Sequence, residues 1–288
     1  MAIRFLRNCL GLWGLLVAVS ACSPTSSAPE PAIETAENRP QKIVALTSIS
    51  ADIVQNLAAD TLVGIPGSPL LKDNPRFEGL TAVSSGRAEP DLEKIVALKP
   101  DLVIGAEGFH DKALERLTDL EINVLSVNID GWDSLKNITQ VLATQLNVDP
   151  TPLVERYDAC LAKANDNGPT VIVLVSREPL LSPNKESWAG DFLQKFNIQN
   201  MTAELQGQSE IAGYITLSPE KILDMNPERL LFIDFDGSTN KEIAQLKTDP
   251  FWSQLSAVQS EQIYSFNYHG LINPGSIASI EQTCDGLG

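Results

Sequence analysis

The chain carries 288 residues, 43% of them apolar, with 37 acidic side chains against 21 basic ones and a formal charge of −16. So acidic a surface repels nucleic acid and anionic lipid headgroups and excludes both as partners of the folded part. The length suffices for one large or two smaller lobes, each with its own core. At the start, Arg4 and Arg7 precede an apolar run from Cys9 to Val19 that closes on Val19-Ser20-Ala21-Cys22. A basic flank, a short apolar stretch and small residues before a cut predict a secretory signal over residues 1–21. The run falls short of the roughly 20 apolar residues that span a bilayer as a helix. Cleavage there removes two arginines and takes the charge to about −18. Residues 22–40, rich in Pro and Ser, predict a disordered tether. No later stretch is apolar and long enough to cross a membrane.

From Gln41 onward strands and helices alternate. Residues 42–46 and 61–65 read as strands, and between them Ser50 is placed to cap a helix carrying Ile53, Val54 and Leu57. Residues 113–120 read as a helix and 123–127 as a strand. Helical periodicity then runs from 134 to 164, broken only at 147–152 by Asn-Val-Asp-Pro-Thr-Pro. The clearest buried strand is 170–175; a helix at 189–196 and a late strand at 262–266 follow. Two segments resemble each other: 89–104, with Glu93-Lys94-Ile95 ahead of Pro100, and 217–233, with Glu220-Lys221-Ile222 ahead of Pro227. Each reads as a short helix with an acidic first turn, stopped before Pro and followed by a buried strand. One such unit per half predicts two similar lobes. The expected class is α/β: two Rossmann-like lobes with mainly parallel sheets and a ligand cleft between them. The predicted N-terminal lobe is 41–149, a single long connector helix 150–168, and the C-terminal lobe 169–288.

The small-small-Cys ending at Cys22 resembles the lipobox of bacterial lipoproteins, which implies that Cys22 is acylated and becomes the mature N-terminus. From Ile43 on, the chain resembles the helical-backbone class of solute-binding proteins of bacterial ABC importers, carriers of ferric siderophores, haem and cobalamin. The resemblance rests on 86–93, Gly-Arg-Ala-Glu-Pro-Asp-Leu-Glu, running into 97–103, and on the repeated Glu-bearing helix. The stretch 188–200, from Trp to Asn, adds to it. It implies an extracytoplasmic, lipid-anchored monomer whose partners are a small-molecule ligand and an ABC importer permease. It further implies that Glu93 and Glu220 dock onto permease arginines, one on each lobe's rim. Two exposed carboxylates on opposite lobes fix orientation and speed encounter; the competing reading is that each only favours its own helix N-terminus.

The resemblance also places Arg87 at the cleft, where a guanidinium offers a planar fork of donors to chelate oxygens around Fe(III). Phe109 follows a strand end at a loop that faces the cleft in such lobes, and Trp188, Tyr214 and Tyr268 are expected at comparable places. Large amphipathic rings suit a bulky, partly apolar ligand. Trp132 and Trp252, with helical neighbours, read as core. Only two histidines exist, His110 and His269, too few for a bare-metal site built from protein ligands, although one of them fits beside a pocket. No nucleophile elbow, phosphate-cradling Gly loop or paired-His metal helix is present, so the chain reads as a carrier rather than an enzyme, with no resident cofactor. Cys160 and Cys284 remain as an even pair in an oxidising compartment: either a disulfide or two separate buried thiols. The expected cargo is a ferric siderophore. Haem or cobalamin is the alternative of the same class, with Tyr214, Tyr268 or His269 as axial candidates for haem; a sensing or scaffold lipoprotein is the alternative of a different class.

Overall fold

The computed structural model describes residues 39–288 except 86–87, 207–208, 210 and 236–238. Cys22, the predicted signal and the tether up to residue 38 lie outside the described residues, as does Arg87.

The first sheet is built from β1 (Ile43–Ala45), β2 (Leu62–Ile65), β3 (Thr81–Ala82), β4 (Leu102–Ala106) and β5 (Val124–Val127). Its order is β3-β2-β1-β4-β5 and every pairing is parallel. Between its strands run α1 (Ser48–Ala58), α2 (Pro69–Lys72), α3 (Leu92–Leu98) and α4 (Asp111–Asp119). The chain then passes through α5 (Trp132–Leu146) and α6 (Thr151–Leu161) to the second sheet. That sheet holds β6 (Thr170–Leu174), β9 (Gln199–Asn200), β11 (Arg229–Asp234) and β12 (Ile263–Asn267) in the parallel order β12-β11-β6-β9. Beside it β7 (Ser176–Arg177), β8 (Leu180–Pro183) and β10 (Tyr214–Thr216) form a small antiparallel sheet that the sequence reading does not contain. The helices of this half are α7 (Trp188–Lys195), α8 (Pro219–Met225), α9 (Thr239–Leu246), α10 (Ser256–Gln259), the single turn α11 (Tyr268–Leu271) and α12 (Ile277–Leu287).

Strand residues alternate between two burial environments, as sheets covered on both faces require. Ile43 and Ala45 point into a central core with Val171 and Val173, whereas Val44 and Val103 pack outward on Ile95 and Leu114. Ile172 and Leu174 likewise pack outward on Ile222 and Trp252. The central core is shared by both sheets and filled by residues of α1, α5, α6, α7 and α12.

The predicted repeat is borne out in detail. α3 and α8 each have seven residues, a capping side chain that accepts from the N3 amide (Asp91 and Ser218) and a left-handed C-cap (Lys99 and Asn226) just before a proline. The predicted connector helix over 150–168 is present as α6 but is shorter, ending at Leu161, and the break expected at 147–152 separates it from α5, with Asn147 in the left-handed region. Pro150 and Pro152 explain the break, because a proline interrupts the helical ladder but fits the first turn of the next helix. α12 also returns to the first half. Arg156 of α6 donates from Nε and Nη2 to Glu281 of α12 and from Nη1 to Asn56 of α1, at 2.8 to 2.9 Å. The passage between the sheets is thus a packed cluster of helices. Cys160 and Cys284 form a disulfide, with Cα atoms 5.6 Å apart, that ties α6 to α12. Among the described residues no helix is long and apolar enough to cross a membrane.

Candidate functional site

In a parallel α/β sheet the loops at the carboxyl ends of the strands face one edge, and the crevice opens where the strand order reverses. In the first sheet that reversal lies between β1 and β4. A cavity of about 600 Å³ is found there, within the usual size of a small-molecule site. Residues following all five strands line it: Leu46, Thr47 and Ser48 after β1, Pro66 and Ser68 after β2, Ser84 after β3, Glu107, Phe109 and His110 after β4, and Asn128 and Ile129 after β5. The second sheet contributes Tyr268, His269, Asn273 and Pro274 from beyond the end of β12. The cavity therefore lies between the two halves.

Local chemistry explains how these walls are held. Thr47 Oγ1 accepts from the Ser50 amide at 3.2 Å and caps α1; the amides of Ser48 and Ile49, on the cavity wall, have no intrahelical acceptor. After β4 the chain turns through Gly108, whose φ of 74° suits a residue without a side chain. The Ala106 amide then donates to His110 Nδ1 at 2.9 Å, and the His110 amide donates back to the Ala106 carbonyl. Burial holds the His110 pKa below its ordinary value of 6.5, opposed by the nearby Asp111 carboxylate. Phe109 is 68% exposed and meets His110 edge to face. Across the cleft Tyr268 packs on Phe235 with ring centroids 5.2 Å apart, and Phe235 is itself 58% exposed. Phe109 from the first half and Tyr268 from the second thus give the cavity an aromatic ring on each side.

Of the predicted ligand residues, Phe109 and Tyr268 line this cavity. Trp188 does not, and its assignment is corrected. It begins α7, is 4% exposed, stacks on Trp132 and donates its indole N–H to the Gly270 carbonyl at 2.8 Å. It stands behind the α11 turn that carries Tyr268 and His269, and not in the cleft. Tyr214 is corrected as well: it lies in β10, half-buried against the central core and off the cavity lining. Burial, and then the neighbouring Tyr268, raise its phenol well above the ordinary range. Trp132 and Trp252 are core, as expected. Both histidines line the cavity, and no metal-holding cluster of three or more His, Cys, Asp or Glu occurs among the described residues.

Sequence reasoning allowed one histidine beside a pocket, where the structure has both, and missed the hydroxyls of Ser48, Ser68 and Ser84. The signal was available: all of them follow strand ends, the rule that found Phe109. Glu93 and Glu220 are exposed in the first turns of α3 and α8. Each of these helices leads from its N-terminus back to the start of the next parallel strand. Both carboxylates therefore lie toward the carboxyl edge of their sheet, the edge on which the cavity opens.

Comparison with known proteins agrees with this geometry. A substrate-binding lipoprotein of an ABC transporter in Bacillus subtilis, itself uncharacterised, is 24% identical over 80% of this chain and 74% of its own. The Fe(3+) dicitrate-binding periplasmic protein FecB of Escherichia coli is 26% identical over 88% of this chain and 85% of its own. The crystal structure of an ABC transporter substrate-binding protein from Listeria monocytogenes superposes with a TM-score of 0.69, at 21% identity over 86% of this chain and 98% of that one, a likeness of fold. The model of the periplasmic binding protein family matches residues 43–267, most of the sequence, and the chain belongs to that family.

Proposed function

We propose that this protein is the extracytoplasmic, lipid-anchored ligand-binding component of an ABC importer, that it captures a ferric chelate in the cleft between its two sheets, and that it hands the chelate to a permease. The observation that carries the reading is the cavity of about 600 Å³ at the switch point of the first sheet, closed from the second by Tyr268 and His269. The relatedness to a ferric-dicitrate binder supports iron as the cargo. In this reading the chelate arrives with its iron already wrapped, and the protein contributes aromatic walls and hydrogen-bond donors. Arg87 is assigned to the same cleft. Glu93 and Glu220 are the docking carboxylates, and the lipid on Cys22 keeps the binding part at high local concentration near its permease.

Calorimetric titration with ferric hydroxamates, ferric catecholates and ferric citrate tests the reading. Saturable one-to-one binding of at least one of them supports it, and no heat with any of them overturns it. Haem is the second reading, favoured by one observation: Tyr268, His269 and His110 all border the cavity and are the residue types that ligate haem iron. A shifted Soret band on adding haem, lost in Tyr268→Phe or His269→Ala, would establish it.

A further inference from the structure

The cavity walls also bear on the charge of the cargo. His110 is 5% exposed, yet it borders the cavity. Its Nδ1 is already an acceptor for the Ala106 amide at 2.9 Å, so the neutral ring carries its proton on Nε2. That Nε2–H has no acceptor among the described residues, so it is free to donate to a ligand oxygen in the cavity that His110 borders. Other donor groups on the lining are also neutral, among them the hydroxyls of Ser48, Ser68, Ser84 and Tyr268 and the first amides of α1. Among the described lining residues the only side chain that carries a full charge at neutral pH is Glu107, which is a carboxylate and exposed. Arg87 lies outside the described residues. The chain as a whole carries −16. Neutral donors and the partial positive end of α1 match the partial charges of hydroxamate oxygens, whereas a trianion would meet a carboxylate in a strongly negative field.

Resting on the function proposed above, we infer that the cleft selects ferric chelates without net negative charge, of the trihydroxamate class, and that His110 Nε2–H is a ligand-contacting donor at its inner wall. The test is calorimetry at fixed ionic strength with a neutral ferric trihydroxamate, a ferric tris-catecholate carrying three negative charges, and ferric citrate. The neutral chelate binds at least tenfold tighter than the tris-catecholate, and Glu107→Gln, at an exposed site, narrows that ratio. His110→Phe, which fills the same space without a donor, weakens the neutral chelate at least tenfold, and His110→Gln recovers part of the loss. Equal or tighter binding of the trianion overturns the inference while leaving iron-chelate capture intact, as does a Glu107→Gln variant with an unchanged ratio. Absence of binding by every chelate overturns both.

Discussion

Asp52 offers the most direct test of how the two halves are held in register. It is 2% exposed on α1. Its Oδ1 accepts from Arg76 Nη1 and from Asn56 Nδ2, each at 3.1 Å. Its Oδ2 accepts from the amide of Ile277, the first residue of α12, at 2.8 Å. One carboxylate thus joins α1 to α12, the first and last helices among the described residues. Asp52→Ala leaves the Ile277 amide buried without an acceptor, at about 1–3 kcal/mol. Loss of a negative charge at the α12 N-terminus adds about 0.3–1 kcal/mol. The Arg76 pair adds little, because that guanidinium is 42% exposed and returns to water. The total is about 2–4 kcal/mol, which for a chain of this size lowers Tm by about 5–15 °C. Asp52→Asn keeps an acceptor for Ile277 and is expected to lose about half as much. Thermal melting followed by circular dichroism, with urea midpoints as a second measure, reads both variants. A Tm for Asp52→Ala within about 1 °C of the parent would refute the reasoning.

Four further outcomes follow from the same contacts. The Cys160–Cys284 disulfide closes a loop with a sequence separation of 124; its replacement by two alanines is expected to cost about 4–5 kcal/mol on the chain-entropy account, read as a lower urea midpoint that reduction of the parent reproduces. Trp188→Phe removes the indole donor to Gly270 and is expected to cost about 1–2 kcal/mol, and an unchanged midpoint would count against that bond. Gly270 has φ of 102°, and a Cβ there would collide with the Ser279 carbonyl and Thr283 Oγ1; Gly270→Ala is expected to lose at least about 3 kcal/mol or to fail to accumulate as soluble protein. His110 is held neutral by burial, with its folded pKa below the ordinary 6.5. Its contribution to stability is therefore complete above about pH 6.5 and is lost as pH falls through the lower folded value, because the unfolded chain takes up the proton first. Urea midpoints between pH 8 and pH 5 should fall less steeply in His110→Phe than in the parent.

Much of the fold was legible because buried parallel strands are written as short runs of Val, Ile and Leu, and because capped helices stop before proline. Residues 170–175 and the paired Glu-bearing helices are the clearest examples. The antiparallel β7, β8 and β10 were not legible. They are two to four residues long; β7 and β8 pair as a local hairpin, and only β10 joins it from some thirty residues away. The site was half legible. Position after a strand end found Phe109 and Tyr268, but an indole at a helix start carries no mark of whether it faces a cleft or a core. Trp188 was settled by Trp132 and the Gly270 carbonyl, neither of which is adjacent in sequence. The connector was misjudged in length for a related reason: its two prolines mark the break, but only the packing of α12 on α6 shows that the passage is a cluster of helices.

The central claim is delivery to a permease by way of carboxylates on both rims. Uptake of an iron-labelled chelate is the measurement that bears on it most directly, in cells whose only copy of this protein carries both Glu93→Lys and Glu220→Lys, with calorimetry of the purified variant alongside. Both side chains are exposed, so the variant is expected to fold. The account predicts parent-like chelate affinity with uptake reduced to the level of cells lacking the protein. Uptake at the parent rate by the doubly reversed protein would contradict it.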